Sequence, residues 1–278
     1  MARAKQAKQI HQMTFAQWEK AFPDEDHCAA YLVAHRWPSG VYCPRCGNAL
    51  VKPDGTLPWN WRCNECSPSS TNYCFSHITK TIFENTNKPL RDWFRVIHMM
   101  LTSKKGVAAL QVQRVMGFGS YRTAWYMCHR IRAALADEDF NKLMGIVEVD
   151  ETFVGGLAKN RHKDKRGKGG GTGGVGSGKA IVAGAVQRKG NVVARVINSV
   201  DAGTLTAFVR GAVSEKVSLI CTDTWGGYNK LGFEYPHGRV DHSHGQYVVG
   251  AIHTNTIEGF WSIFKRGIVG SFHKVSRK

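Results

Sequence analysis

The sequence predicts an α/β protein made of a small metal-binding module, a helical region and a mixed strand-and-helix domain. Three observations carry that expectation. Two C-x2-C pairs, Cys43/Cys46 and Cys63/Cys66, stand sixteen residues apart in a stretch rich in glycine, proline and tryptophan. Residues 88–136 repeat apolar side chains at helical spacing. From residue 146 onward, short β-branched runs alternate with amphipathic segments, the last of them HTNTIEGFWSIFKRG, His253 to Gly267.

Composition narrows the function classes. A chain of 278 residues has room for two or three modules, and 42% hydrophobic residues exclude a disordered protein. The net charge is +17 and the pI about 9.7. Such an excess of Lys and Arg points to a polyanionic partner, because basic side chains gain affinity by releasing counterions from phosphates. No apolar run approaches the roughly 20 residues of a membrane span. The opening MARAKQAKQIHQM is basic without an apolar stretch, unlike a secretory signal. A cytoplasmic protein facing nucleic acid is expected. In that reducing compartment the eight cysteines serve as metal ligands or core residues rather than disulfides.

Taken in order, residues 14–36 are expected to form two short helices. Thr14 is placed to cap the first, and Pro23 with Asp24 and Asp26 separates them. In the 41–66 stretch each C-x2-C turn presents two thiolates to one side of a metal. Two such turns complete a tetrahedron, so Cys43, Cys46, Cys63 and Cys66 read as a structural zinc ribbon with no open coordination position. Cys74 and His77 lie close enough in sequence to be further ligands, but four sulfurs already fill the shell. Cys28, Cys74, Cys128 and Cys221 read as small buried hydrophobes.

KPLRDWFRVIHMMLTSK starts a helix at Pro89, with Leu90, Trp93, Phe94, Ile97, Met100 and Leu101 on one face. A second helix, Val107 to Met116, stops at Gly117-Phe118-Gly119. A third begins at Ser120 and carries Arg122, Arg130 and Arg132. Helix, glycine turn and basic helix suggest a helix-turn-helix, and an ordinary helical hairpin between domains fits the same pattern.

IVEVDETFV, residues 146–154, alternates: Val147 and Val149 face one way, Glu148 and Asp150 the other. Residues 179–187 and 191–200 follow as strands around a Lys189-Gly190 turn. Residues 204–213 read as a helix, and 216–224 as a strand ending near Asp223. The glycine-rich loop from 155 to 179 holds seven Lys or Arg against one Asp. It serves either as a flexible linker or as a phosphate-gripping arm in which Lys163, Lys165 and Arg166 touch DNA. GTGGVGSGK is not a P-loop, because Ala180 follows Lys179 and a strand rather than a helix comes next.

In the closing segment, Ile257, Phe260, Trp261 and Phe264 make one apolar stripe, while Glu258 and Lys265 share another face. Taken alone, Asn255 and Glu258 also fit a helix capping box. The alternative is chemical. Asp150, Asp223 and Glu258 brought together would repel one another unless a hard divalent cation neutralised them. Two such ions, about 3.5–4 Å apart, suit in-line phosphoryl displacement. A basic protein with such a site is expected to cut or join nucleic acid.

The CPRC/CNEC ribbon, SHITKTIFENTNKPLRDWF, VEVDETFVGG, TDTWGGY and HTNTIEGFWSIFKRGIVGSFHKVS together resemble the transposases of the IS1595 insertion-sequence family, the ISXO2-like group. The resemblance runs from about Val41 to Lys278. It implies an RNase H-like catalytic domain with a DDE triad, in which Asp150, Asp223 and Glu258 hold Mg2+ or Mn2+. The spacing from Asp223 to Glu258 is 35 residues, similar to many such enzymes. Lys265, followed by Arg266, matches the basic position expected to contact transposon-end DNA, and Asn255 is the alternative third ligand found in some relatives.

The organisation this implies is an N-terminal helical segment (1–40), a zinc ribbon (41–76), a helix-turn-helix-like region (77–140) and the catalytic domain (141–278). The partners implied are the terminal inverted repeats and target DNA, with a homo-oligomer forming on paired ends. The location implied is the bacterial cytoplasm, at the nucleoid. The family's similarity continues past HKVS into a further helical segment, whereas this chain stops at Lys278. That raises a second expectation, a truncated and inert DNA-binding protein. A nuclease of RNA–DNA hybrids is a third reading, for which neither the ribbon nor the long basic loop is needed.

Overall fold

A computed structural model of the chain describes residues 9–66, 73–135, 142–156, 179–241, 248–273 and 275. The chain divides into two compact units, Met1–Asp137 and Glu138–Lys278.

In the first unit, helices α1 (Phe15–Ala21) and α2 (Glu25–Arg36) form as their caps dictate. Thr14 Oγ1 accepts the Gln17 N–H at 3.3 Å, and Asp24 accepts the His27 N–H at 2.9 Å. Three helices follow: α3 (Leu90–Thr102), α4 (Ala109–Met116) and α5 (Tyr121–Ala134). Pro89 precedes α3, and the free N–H groups of Leu90 and Arg91 are taken by the Glu25 carboxylate from α2, at 2.6 and 3.1 Å. Gly117 adopts φ 66° and ends α4 in the left-handed region. Ser120 Oγ then caps α5 by accepting the Arg122 N–H at 3.2 Å. All five helices share one core containing Trp18, Phe22, Cys28, Trp93, Phe94, Val112, Met127 and Ile131.

Two expectations need correcting here. Leu101, assigned to the buried face of α3, is 43% exposed, and Val96 and His98 are buried instead. The His98 ring sits 2.9 Å from the Met13 carbonyl, whereas Leu101, one turn further on the same face, lies in the last turn of α3 beyond the core. Cys74 is exposed rather than part of the core, unlike Cys28, Cys128 and Cys221.

The remainder of this unit is a three-stranded antiparallel sheet in the order β1 (Val51–Pro53), β2 (Asn60–Cys63), β3 (Tyr73–Ser76). Trp37, Trp61, Phe75, Cys43 and Cys63 pack beside it as a small core of their own.

The second unit is a five-stranded mixed sheet, ordered β6-β5-β4-β7-β8. Strands β4 (Ile146–Val154), β5 (Ala180–Gln187) and β6 (Val192–Ile197) are antiparallel neighbours. Strands β7 (Leu219–Asp223) and β8 (His237–Val240) continue the sheet in parallel on the other side of β4. The β5–β6 turn falls at Lys189-Gly190, with Lys189 at φ 58°. Strand β8 is an element that the sequence pattern does not reveal.

Helix α6 (Ala202–Ala212) covers one face of the sheet, burying Leu205, Phe208 and Val209 against Val147, Val149 and Ile220. Helix α7 (Asn255–Gly267) covers the other, where Ile257 and Trp261, flanked by Phe260 and Phe264, meet Val182 and Val186. The alternation of β4 thus sends Val147 and Val149 toward α6, and Glu148 and Asp150 toward α7. Among the described residues no helix is long and apolar enough to cross a membrane.

Candidate active site and metal centre

The zinc-ribbon cysteines converge. The potential ligand atoms of Cys43, Cys46, Cys63 and Cys66 all lie within 4.8 Å of one another. The Cys43–Cys66 and Cys46–Cys63 sulfur pairs are both 3.7 Å apart. Four thiolates about 2.3 Å from a tetrahedral zinc would stand roughly 3.8 Å apart, so the cluster has the size of a zinc site and not of disulfides. Burial pushes the Cys43 thiol up, but the N–H groups of Cys46 and Arg45 and the neighbouring thiols outweigh it and bring the group down to about 7. A thiol held this low ionises readily toward a cation. His77 is turned away from this role, its Nδ1 lying 3.3 Å from the Trp59 carbonyl.

The acidic residues are positioned by the sheet. Strands β4 and β7 pair in parallel with Glu148 opposite Cys221, an offset of 73 residues that carries Asp150 level with Asp223. Asp223 ends β7, where its Oδ1 accepts the Trp225 N–H at 2.9 Å. Burial first, then the charges of Glu151 and Asp223, push the Asp150 carboxyl up to about 7. Acids crowded in a half-buried place mark this end of β7 as the candidate site.

Asp150 is also tied to α7. Trp261 Nε1 donates to Asp150 Oδ2 at 3.0 Å. Gly184 faces Asp150 across the β4–β5 pair, and a Cβ there would come within 2.6 Å of the Trp261 ring. The missing side chain is what admits the indole. Glu258 lies one turn before Trp261 on an exposed part of α7, and its Oε1 accepts the Thr254 hydroxyl at 2.8 Å.

Among the described residues, the four cysteines are the one group of three or more potential ligand side chains gathered within 4.8 Å. Asp150 and Asp223 lie on neighbouring strands and Glu258 on α7, and the three do not close to that spacing. Their donor set, three carboxylate side chains from two strands and a helix, suits a hard divalent cation.

The capping-box alternative for α7 does not form. The residue before the helix is Thr254, Asn255 is already inside it and exposed, and no side chain of the cap residue bonds a backbone N–H. The first-turn N–H groups go to Glu148 instead. That buried carboxylate accepts from Thr256 and Ile257 backbone N–H at 2.8 and 3.0 Å, and from Arg188 Nε at 2.7 Å. Sequence reasoning placed Glu148 on the correct face but gave it no role. The available signal was a charged residue at a strand position whose neighbour, Asp150, shares the face. A second pair was also missed: Tyr228 Oη donates to Glu151 Oε2 at 2.5 Å.

Of the residues expected to touch DNA, Lys265 and Arg266 are exposed on the last turns of α7, and Arg122 is exposed on α5. Lys163, Lys165 and Arg166 lie outside the described residues.

Residues 142–278 match the ISXO2-like transposase domain, and residues 23–69 match the transposase zinc-ribbon domain. The chain belongs to the IS1595 transposase family. Its DDE-type domain implies a polynucleotidyl transferase that binds DNA. The chain is also similar to a protein encoded in the transposable element ISH50 of the archaeon Halobacterium salinarum, 28% identical over 256 residues. That match covers 89% of this chain and 84% of the relative. No solved structure matches. The ribbon match coincides with the four-cysteine cluster, and the domain match includes the whole five-stranded sheet and α7.

Proposed function

We propose that the protein hydrolyses phosphodiesters at the ends of its insertion sequence and joins the freed 3′-hydroxyls to target DNA, with Asp150, Asp223 and Glu258 as the catalytic acids of an RNase H-like domain. The observation that carries this reading is the convergence of two strand-borne acids with the helix that bears the third. Asp150 is level with Asp223 and hydrogen-bonded to α7 through Trp261.

A divalent ion, Mg2+ or Mn2+, bound there supplies Lewis-acid stabilisation of phosphoryl oxygen and ionises water near neutral pH. The chain's own contribution is to hold the three carboxylates on rigid elements. In the first step water adds to phosphorus, and the strand leaves as a 3′-hydroxyl and a 5′-phosphate. In the second, that hydroxyl attacks a target phosphodiester and displaces the target's own 3′-oxygen, so the number of phosphodiester bonds is conserved. Lys265 and Arg266 follow Glu258 along α7 and are suited to the backbone phosphates beside the cut.

The division of labour follows the segments. The zinc ribbon (41–76) and the helix-turn-helix-like region (77–140) recognise the inverted repeats, with Arg122 on the backbone phosphates, and residues 141–278 cut. The Lys163, Lys165 and Arg166 arm grips backbone. Two ends must be held together for strand transfer, which calls for at least a dimer on DNA, working at the nucleoid.

Magnesium-dependent cleavage of a duplex carrying the element's terminal sequence tests the assignment. Wild type should cut and Asp223→Ala should fall to background. Equal cleavage by both would sink the catalytic assignment. Specific end binding with no cleavage under Mg2+ or Mn2+ would leave a DNA-binding protein. Preference for an RNA–DNA hybrid over the element-end duplex would make the protein a hybrid nuclease.

A further inference from the structure

Glu148 is the most completely engaged carboxylate among the described residues. Its side chain is fully buried. Oε2 accepts the backbone N–H groups of Thr256 and Ile257, at 2.8 and 3.0 Å. Oε1 accepts Arg188 Nε at 2.7 Å and the Thr256 hydroxyl at 2.9 Å, and His253 Nδ1 lies 3.1 Å from it. Arg188 carries the tie further, donating to the Ala251 carbonyl at 2.7 Å and to the His253 carbonyl at 3.1 Å. One strand residue thereby fixes both the first turn of α7 and the segment that leads into it.

Such an arrangement is expensive to build. A buried carboxylate loses several kcal/mol of hydration, and Coulomb attraction repays this only when the geometry is good and the remaining lone pairs are bonded. A valine at this position would continue the apolar packing of Val182 and Val186 at no such cost. What the carboxylate adds is register. The two N–H groups it accepts are among those that no helix satisfies internally, and they point along the helix axis, so the bond fixes the position of α7 along and around that axis. Ile257, whose N–H is held, immediately precedes Glu258. Asp150 lies two residues beyond Glu148 on the same face of β4.

We propose that Glu148 is a positioning residue of the active site, a carboxylate that sets the register of α7 on β4 and so fixes Glu258 relative to Asp150. The inference rests on the reading of Asp150 and Glu258 as metal-holding acids. Glu148 itself has no free lone pair directed to a cation: its oxygens are committed to α7 and Arg188. It acts through Glu258, in the way that outer-shell partners orient metal ligands, where loss of the partner costs about 10- to 100-fold in metal affinity.

The test is Mn2+ binding to the zinc-loaded full-length protein, measured by water-proton relaxation or calorimetry. Wild type should bind and Asp150→Asn should not. Glu148→Gln keeps the volume but replaces one acceptor oxygen with a donor NH2. It should retain a cooperative melt and its zinc while Mn2+ affinity falls by about tenfold or more. Thr256→Val removes one of the contacts and should shift the affinity in the same direction by less. A purely structural role would lower the melting temperature and leave Mn2+ affinity intact. A folded Glu148→Gln protein with wild-type Mn2+ affinity therefore overturns the proposal. Should that variant fail to fold, a folded Thr256→Val protein with unchanged affinity overturns it. If Asp150→Asn binds Mn2+ as wild type does, the acidic-triad reading falls and this proposal with it.

Discussion

At the scale of single residues, His237 makes stability depend on pH. Burial, reinforced by the Arg239 charge, pulls its pKa from 6.5 down to about 4, and its neutral ring bonds the Thr222 hydroxyl at 2.8 Å. Between these pH values the unfolded chain holds a proton that the folded chain does not. Stability from this residue is therefore present above about 6.5 and lost as pH falls toward 4, by an amount on the order of 3 kcal/mol. Asp150, raised to about 7, has the opposite sign over much of the same window. Comparing urea unfolding of His237→Gln with wild type from pH 7 to 4 isolates the histidine, and the variant should lose less stability on acidification. A second prediction concerns Gly184. An alanine methyl would meet the Trp261 ring at 2.6 Å, so Gly184→Ala should cost about 1–3 kcal/mol by overpacking. It should also reduce cleavage, because the displaced indole carries the bond to Asp150.

At the scale of elements, the zinc ribbon and the α4–α5 pair each make a separable prediction. The ribbon's sheet is three short strands with a core of few side chains, too little to hold its shape without a cross-link. Elemental analysis should find about one zinc per chain. Chelators or Cys63→Ser should unfold the ribbon, because the binding energy of a structural zinc is folding energy. Protein purified without zinc yet with an intact ribbon would contradict this. On α5, Tyr121, Trp125 and Tyr126 are about half exposed beside Arg122. A helix that leaves such side chains uncovered after a glycine turn suits a surface that meets DNA. Arg122→Ala should weaken binding to all sequences alike and lower the salt slope by about one.

At the scale of the whole molecule, the charge of +17 is the dominant property. Should six to ten phosphates be neutralised on binding, affinity for duplex DNA would fall by about 10³–10⁵ between 50 and 200 mM salt. Filter binding or fluorescence anisotropy across that range, run on wild type beside Arg122→Ala, measures the slope. A flat response would place the positive charge outside the interface. The same argument explains why the acidic residues matter so much here. In a chain this basic, Asp150 and Glu151 within β4 and Asp223 at the end of β7 are a local reversal of sign, held in place by the sheet.

The sequence by itself determined what local chemistry can determine. Two C-x2-C turns can do little but bring four sulfurs together, and caps such as Thr14, Asp24 and Ser120 act within three residues of their own position. The alternation of β4 was likewise legible, since side chains on a strand must alternate faces. Tertiary structure decided what depends on partners far away in the chain. Leu101 shares the face of buried Leu90, Phe94 and His98 but lies in the last turn of α3, where the core does not reach it. Strand β8 is only four residues long and takes its place by pairing with β7. Asn255 is not the cap of α7, because a carboxylate 108 residues upstream already holds the N–H groups that a cap would serve. Asp150, Asp223 and Glu258 were readable as acids of the right kind. Only the parallel pairing of β4 with β7 sets Asp150 and Asp223 on neighbouring strands, and only the Glu148 and Trp261 ties hold α7, the helix of Glu258, against β4, because sequence spacing alone fixes no distance between charges.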